Sequence, residues 1–134
     1  MGVDMNDCIF CKIARGELHS YKIWENDDFV AFLSLYPETE GMTIVIPKEH
    51  IPSYFLEVDD EVVCELMIAA KEVARILDTK LDNVLRTKVV FEGLEIDHLH
   101  AKLYPKYRGA VPEQTGANMA TEDVLKKIAD KINN

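Results

Sequence analysis

Apolar positions recur along the chain with two periods, and the change from one to the other divides it into strands and helices. Between Ser20 and Leu33, Ile23, Trp24, Phe29, Val30 and Phe32 flank Asn26-Asp27, a pair with turn chemistry. This predicts a hairpin of strands 20–25 and 28–33. Met42-Thr43-Ile44-Val45-Ile46 predicts a third strand, ended by Pro47. From Asp59 the spacing becomes helical: Val62, Leu66, Ala69, Ala70, Val73, Ile76 and Leu77 form one stripe. Asp59 is the expected N-cap, and Asp60 and Glu61 suit the positive end of the helix dipole. Cys64 falls off this stripe and is expected to be a structural or partly exposed thiol. Further strands are predicted at 82–91 and 96–104. A last helix, capped by Thr121, turns Val124, Leu125, Ile128 and Ile132 inward. At the other end a short helix over 8–15, stopped at Gly16, points Ile9, Phe10 and Ile13 inward. The order β-β-β-α-β-β-α with hairpin-like connections predicts an α+β domain, a mostly antiparallel sheet carrying helices.

The fifth strand holds the densest chemistry: His98-Leu99-His100-Ala101-Lys102-Leu103-Tyr104-Pro105. A period of two puts His98, His100 and Lys102 on one face and Leu99, Ala101 and Leu103 on the other. The apolar set packs on a core while two imidazoles and an ammonium point into a pocket or solvent. Pro105 has no N–H for a ladder and is expected to end the strand. On this octapeptide alone an amphipathic strand with a wet polar side and a functional site are equally good readings.

Composition narrows the choice. With 134 residues, 48% hydrophobic and 29% charged, the chain is expected to be one soluble domain over 1–134, its core about 8–107 followed by a loop and helix at 108–134. A formal charge of −9 argues against a nucleic-acid or anionic membrane partner, so a phosphorylated ligand needs a locally basic pocket. Lys48, Lys102, Lys106 and Arg108 are the candidates. There is neither a signal-peptide pattern nor a run of about 18 apolar residues, and a cytoplasmic location is expected. The three cysteines include Cys8-x-x-Cys11, half of a tetrahedral metal site or else two incidental thiols on a helix. A redox role would place the pair inside a βαβ unit, whereas here it precedes every strand. Two of His19, His50, His98 and His100 would have to complete a metal site. His50 sits in a loop after a strand, where side chains often serve a site. His19 is given no role.

Taken together, Cys8-x-x-Cys11, Gly41 to Ile46 followed by Pro47-Lys48-Glu49-His50, Gly93, and His98-x-His100-x-Lys102-Leu-Tyr-Pro105 resemble the histidine triad (HIT) family. The resemblance covers roughly residues 8–107 and implies a five-stranded antiparallel sheet with one long helix, commonly in a homodimer. It also implies a structural zinc on Cys8, Cys11, His50 and His98, and His100 as the nucleophile that attacks a nucleotide α-phosphorus. Zinc nearby and Lys102 beside it are expected to lower the pKa of His100 and keep it neutral.

Several positions depart from the family pattern. Lys102 replaces the third histidine; it offers charge and donors to a phosphate but no imidazole proton shuttle. Ser34 replaces the ribose-binding aspartate and is expected, with Lys102, among the substrate-binding residues. Met42 stands where the family has histidine, and Leu94 and Glu95 where it has glutamine and serine. The leading reading is a nucleotide hydrolase or nucleotidyltransferase acting on a phosphoanhydride or phosphoramidate. The alternative is a zinc-stabilised module that binds a nucleotide or other phosphorylated ligand without turnover.

Overall fold

The computed structural model describes residues 7–109 and 116–134. Strands β1 (Lys22–Glu25) and β2 (Phe29–Leu33) form a hairpin, closed as expected by Asn26, whose side-chain oxygen accepts the Asp28 and Phe29 N–H groups at 3.0 and 2.7 Å. β3 (Thr43–Pro47), β4 (Val84–Val90) and β5 (Ala101–Tyr107) complete a five-stranded sheet of order β1-β2-β3-β5-β4, antiparallel at every pairing. Helix α1 (Ile9–Ala14) precedes the sheet, α2 (Asp60–Lys80) joins β3 to β4, and α3 (Glu122–Asn133) follows it.

The alternation of side chains divides the core between the two faces of the sheet. Phe29, Ala31, Leu33, Val45, Ala101 and Leu103 turn toward α2 and α3, where Leu66, Val73, Leu77, Leu125 and Ile132 meet them. Val30, Phe32 and Ile46 turn the other way and are covered by Cys8, Phe10, Cys11 and Ile13 of the α1 segment. At roughly 1.5–3 kcal/mol for each fully buried large aliphatic side chain, the α2 face supplies most of the stability. The α1 face is smaller, and six residues of helix hold it.

Three local expectations change. Regular pairing of β5 begins at Ala101 and continues through Pro105 to Tyr107, so His98 and His100 precede the strand and Pro105 does not end it. The reason is local. β3 pairs with β5 only as far as Thr43 opposite Leu103, and the Pro105 carbonyl then accepts the Thr39 hydroxyl at 3.1 Å. The N and O of a strand residue point to the same side, so the missing donor of Pro105 faces an edge that has no ladder to lose. Asp59 occupies the N-cap position of α2 but makes no side-chain capping bond, whereas Thr121 caps α3 through the Val124 N–H at 3.3 Å. Ile9 and Val124, expected inside, are half exposed.

Gly93 ends the run out of β4 with φ +68°, and a Cβ there would lie 2.7 Å from Ser53 Cβ and 2.9 Å from its carbonyl oxygen. Gly93→Ala is therefore expected to lose about 1–3 kcal/mol from conformation alone, and more from the backbone contact. A urea midpoint unchanged from the parent protein would contradict this.

Candidate functional site

The α1 segment, the loop after β3 and the loop before β5 converge on one point. Cys8 and Cys11 lie one helical turn apart at the start of α1, so both sulfurs leave the same face. Cys8 Sγ is 3.4 Å from His98 Nδ1; Cys11 Sγ is 3.5 Å from the same nitrogen and 3.1 Å from His50 Nδ1. The four candidate ligand atoms lie within 4.8 Å of one another, with both sulfurs and His98 buried, a set able to hold a metal ion. His98 Nε2–H donates to the Pro47 carbonyl at 2.8 Å, which fixes the tautomer and leaves the Nδ1 lone pair toward the sulfurs. Burial, then the neighbouring Cys8 sulfur, pushes the Cys11 thiol up to about 11. Such a thiol keeps its proton near neutral pH unless a cation takes the proton's place.

His100 is the next imidazole along and points elsewhere. Its Nδ1–H donates to the His98 carbonyl at 2.7 Å, so Nε2 carries the free lone pair. The Phe10 ring packs edge-on against both imidazoles, with centroids 5.8 Å from His98 and 5.2 Å from His100. The pKa of His100 is lowered, chiefly by burial and further by the Lys102 charge, against the opposing pull of the His98 carbonyl, Glu92 and Glu95. His100 faces a groove of about 1030 Å³. Ile9, Phe10, Ile13 and Leu18 make one side of it apolar; Lys88, Tyr104 and Lys106 stand on the side formed by β4 and β5.

Lys102 lines this groove and is half-buried, directly across from Ile44 on β3 and Val90 on β4. Ser34 lines it too, but its Oγ already accepts the Tyr36 N–H at 3.2 Å. Lys48, one of the expected basic-pocket residues, turns away and pairs with Glu25 at 3.6 Å. Of the departures, Met42 is buried and accepts the Glu38 N–H on its sulfur at 3.4 Å, Leu94 is exposed, and Glu95 lines the groove. Sequence reasoning missed Lys88, and it passed over His19, whose ring lies against Tyr21 at 5.0 Å and lines the groove. The signal for Lys88 was its parity with Val90, which becomes informative once β4 is in register with β5.

Among known proteins, the HIT domain pattern matches residues 15–109, beginning after the cysteine pair. The chain belongs to the HIT family. Among its relatives, this HIT protein is 40% identical over 106 residues to an uncharacterised HIT-like protein of Mycoplasma pneumoniae, covering 76% of this chain and 73% of that one. It is 36% identical over 99 residues to the adenosine 5′-monophosphoramidase of Saccharomyces cerevisiae, covering 74% and 62%. A crystal structure of a hypothetical histidine triad nucleotide-binding protein from Sulfolobus tokodaii superposes with a TM-score of 0.81 at 26% identity, covering 94% and 89%. Among the described residues of this HIT protein, no helix is long and apolar enough to cross a membrane.

Burial holds the pKa of His98 at about 4, below its ordinary 6.5. Between these values the unfolded chain binds the proton and the folded one does not. In the metal-free protein the stabilisation is therefore complete above about pH 6.5, and about 3 kcal/mol is lost as pH falls toward 4. Urea unfolding of chelator-treated protein at pH 7, 6, 5 and 4.5 should show the midpoint falling across this range. A flat profile would remove His98 as the acid-sensitive group.

Proposed function

We propose that this protein is a nucleotide hydrolase or nucleotidyltransferase that works through a nucleotidyl-His100 intermediate. The observation that carries the reading is the His100 imidazole itself: Nδ1 is tied to the His98 carbonyl at 2.7 Å, and burial and Lys102 favour its neutral form at the groove. Nε2 attacks the α-phosphorus, the Nε2–P bond forms, and the bond from phosphorus to the leaving group breaks, its electron pair departing with that group. Water or another acceptor then attacks phosphorus and frees His100. Lys102 places a cation where the phosphoryl oxygens gather charge. The apolar side of the groove around Ile9, Phe10, Ile13 and Leu18 suits a nucleobase, and Ser34, also in the lining, serves as a ribose contact. The relationship to the yeast adenosine 5′-monophosphoramidase supports the phosphoramidate of a nucleotide as one substrate class.

Cys8, Cys11, His50 and His98 suit zinc in a structural role. Zn–S bonds of about 2.3 Å and Zn–N bonds of about 2.0–2.1 Å give tetrahedral S···N edges of roughly 3.5 Å. The 3.1–3.5 Å separations among these atoms approach those edges. A closed set of four leaves no position for substrate, so the ion would hold α1 to the sheet and aim the segment that carries His100. A homodimer belongs to the same reading: β4 is an edge strand, and Leu85 on it is exposed, as are Met67 and Ile68 on α2.

The test is intact-mass spectrometry after brief mixing with dinucleoside polyphosphates, nucleoside phosphoramidates and nucleotide sugars. The expected result is a mass increase of one nucleotide that is absent from His100→Ala. No adduct and no turnover of any of these compounds would favour the zinc-stabilised binding module.

A further inference from the structure

The proposed reaction ends when water attacks the nucleotidyl-His100 bond, and that water has to lose a proton. Neither residue at the centre of the site can take it. His100 Nε2 is occupied by phosphorus at that stage, and its Nδ1–H already donates to the His98 carbonyl at 2.7 Å. The Lys102 ammonium has three donors and no lone pair. The carboxylates that line the groove are Glu38, Glu92 and Glu95. Glu38 is engaged, since it accepts the Tyr104 phenol. Glu95 lies past the turn at Gly93, where strand parity no longer sets its direction.

Glu92 lies before that turn. The register sets Lys88 opposite Tyr104 and Val90 opposite Lys102, and a period of two brings Glu92 to the same side. The other parity confirms this side, because Val89 and Phe91 pack with the α2 core. The Glu92 charge acts on both His100 and Tyr104, the residues that flank Lys102 at strand spacing. Immediately beyond it, the Ser53 hydroxyl donates to the Gly93 carbonyl at 2.8 Å and anchors the backbone that carries Glu92. Among the described residues Glu92 has no Lys, Arg or His partner within 4.0 Å, and it is exposed, so its carboxylate is open to water.

We propose that Glu92 is the general base of the second half-reaction. Its carboxylate takes a proton from the attacking water, the O–P bond forms, and the Nε2–P bond breaks with its electron pair returning to His100. Glu92 then gives the proton to solvent. This rests on the nucleotidyl-histidine reading and deepens it: two residues do the work of one imidazole, Lys102 supplying charge and Glu92 accepting the proton.

The test uses the 4-nitrophenyl ester of adenosine 5′-monophosphate, whose leaving group departs as a stable anion and needs no proton. Glu92→Gln is expected to release nitrophenolate in a burst equal to the enzyme concentration. A steady state slower than the parent's by at least about 10²-fold should follow, with the nucleotide adduct accumulating in the intact mass. Fluoride, an acceptor with no proton to lose, should speed turnover of Glu92→Gln more than that of the parent protein. An unchanged steady state, equal acceleration by fluoride in both proteins, or greater slowing in Glu95→Gln than in Glu92→Gln would overturn the assignment while leaving the nucleotidyl-histidine reading in place. No nitrophenolate release from the parent protein would overturn that reading and the base with it.

Discussion

His98→Ala is expected to abolish metal binding at the four-residue set and to destabilise the fold by on the order of 4 kcal/mol. Three losses coincide at that position. The imidazole is fully buried, so its removal leaves a cavity between the α1 segment and the sheet. The Pro47 carbonyl loses its donor. Both sulfurs lose the nitrogen that lies within 3.5 Å of each. Metal analysis of purified protein should find about one ion per chain in the parent and almost none in the variant. Cys11→Ser should release the metal as well, with a smaller packing defect, whereas Cys64→Ser, on an exposed position of α2, should leave content and midpoint unchanged. Full metal content in His98→Ala would dismiss the four-ligand assignment.

His100→Ala should lower turnover by at least about 10³-fold and abolish the covalent adduct, because the nucleophile itself is removed. His100→Gln is the sharper variant: it retains a polar side chain over the His98 carbonyl but has no basic lone pair for phosphorus. Loss of activity in both variants, with metal retained, separates chemistry from folding. Residual turnover within tenfold of the parent protein would show that His100 is not the attacking group.

Much of this site was legible because strand parity and metal spacing are local rules. Leu99, Ala101 and Leu103 go to the core as their alternation requires; the cysteine spacing left open which two of four histidines join it, and the family resemblance pointed to His50 and His98, which the structure brings beside the pair. What failed depended on neighbours that the local pattern does not contain. Pro105 continues β5 because β3 has already ended beside it. Lys48 left the pocket because Glu25 of the first hairpin waits across from it. The two histidines are buried, contrary to the picture of a wet strand face, because α1 lies over them; residues separated by 87 and 90 positions had to meet first. Lys88 was overlooked because a charged residue on an edge strand is the ordinary way to protect that edge, and its nearness to Tyr104 emerges only from the register.

Helix α1 has six residues, too few to be stable by itself in water. Together with its N-cap Cys8 it nevertheless supplies two of the four candidate metal ligands, Cys8 and Cys11, and, between them in sequence, Phe10, a wall of the groove. A metal on that set and a ligand in the groove would therefore share one small folding unit, which would link their affinities. Whatever factor the metal lends to the affinity of a ligand resting on Phe10, that ligand would return to the metal. Where that coupling is favourable, withholding such an ion would act as an antagonist at a distance, loosening the groove without competing for it.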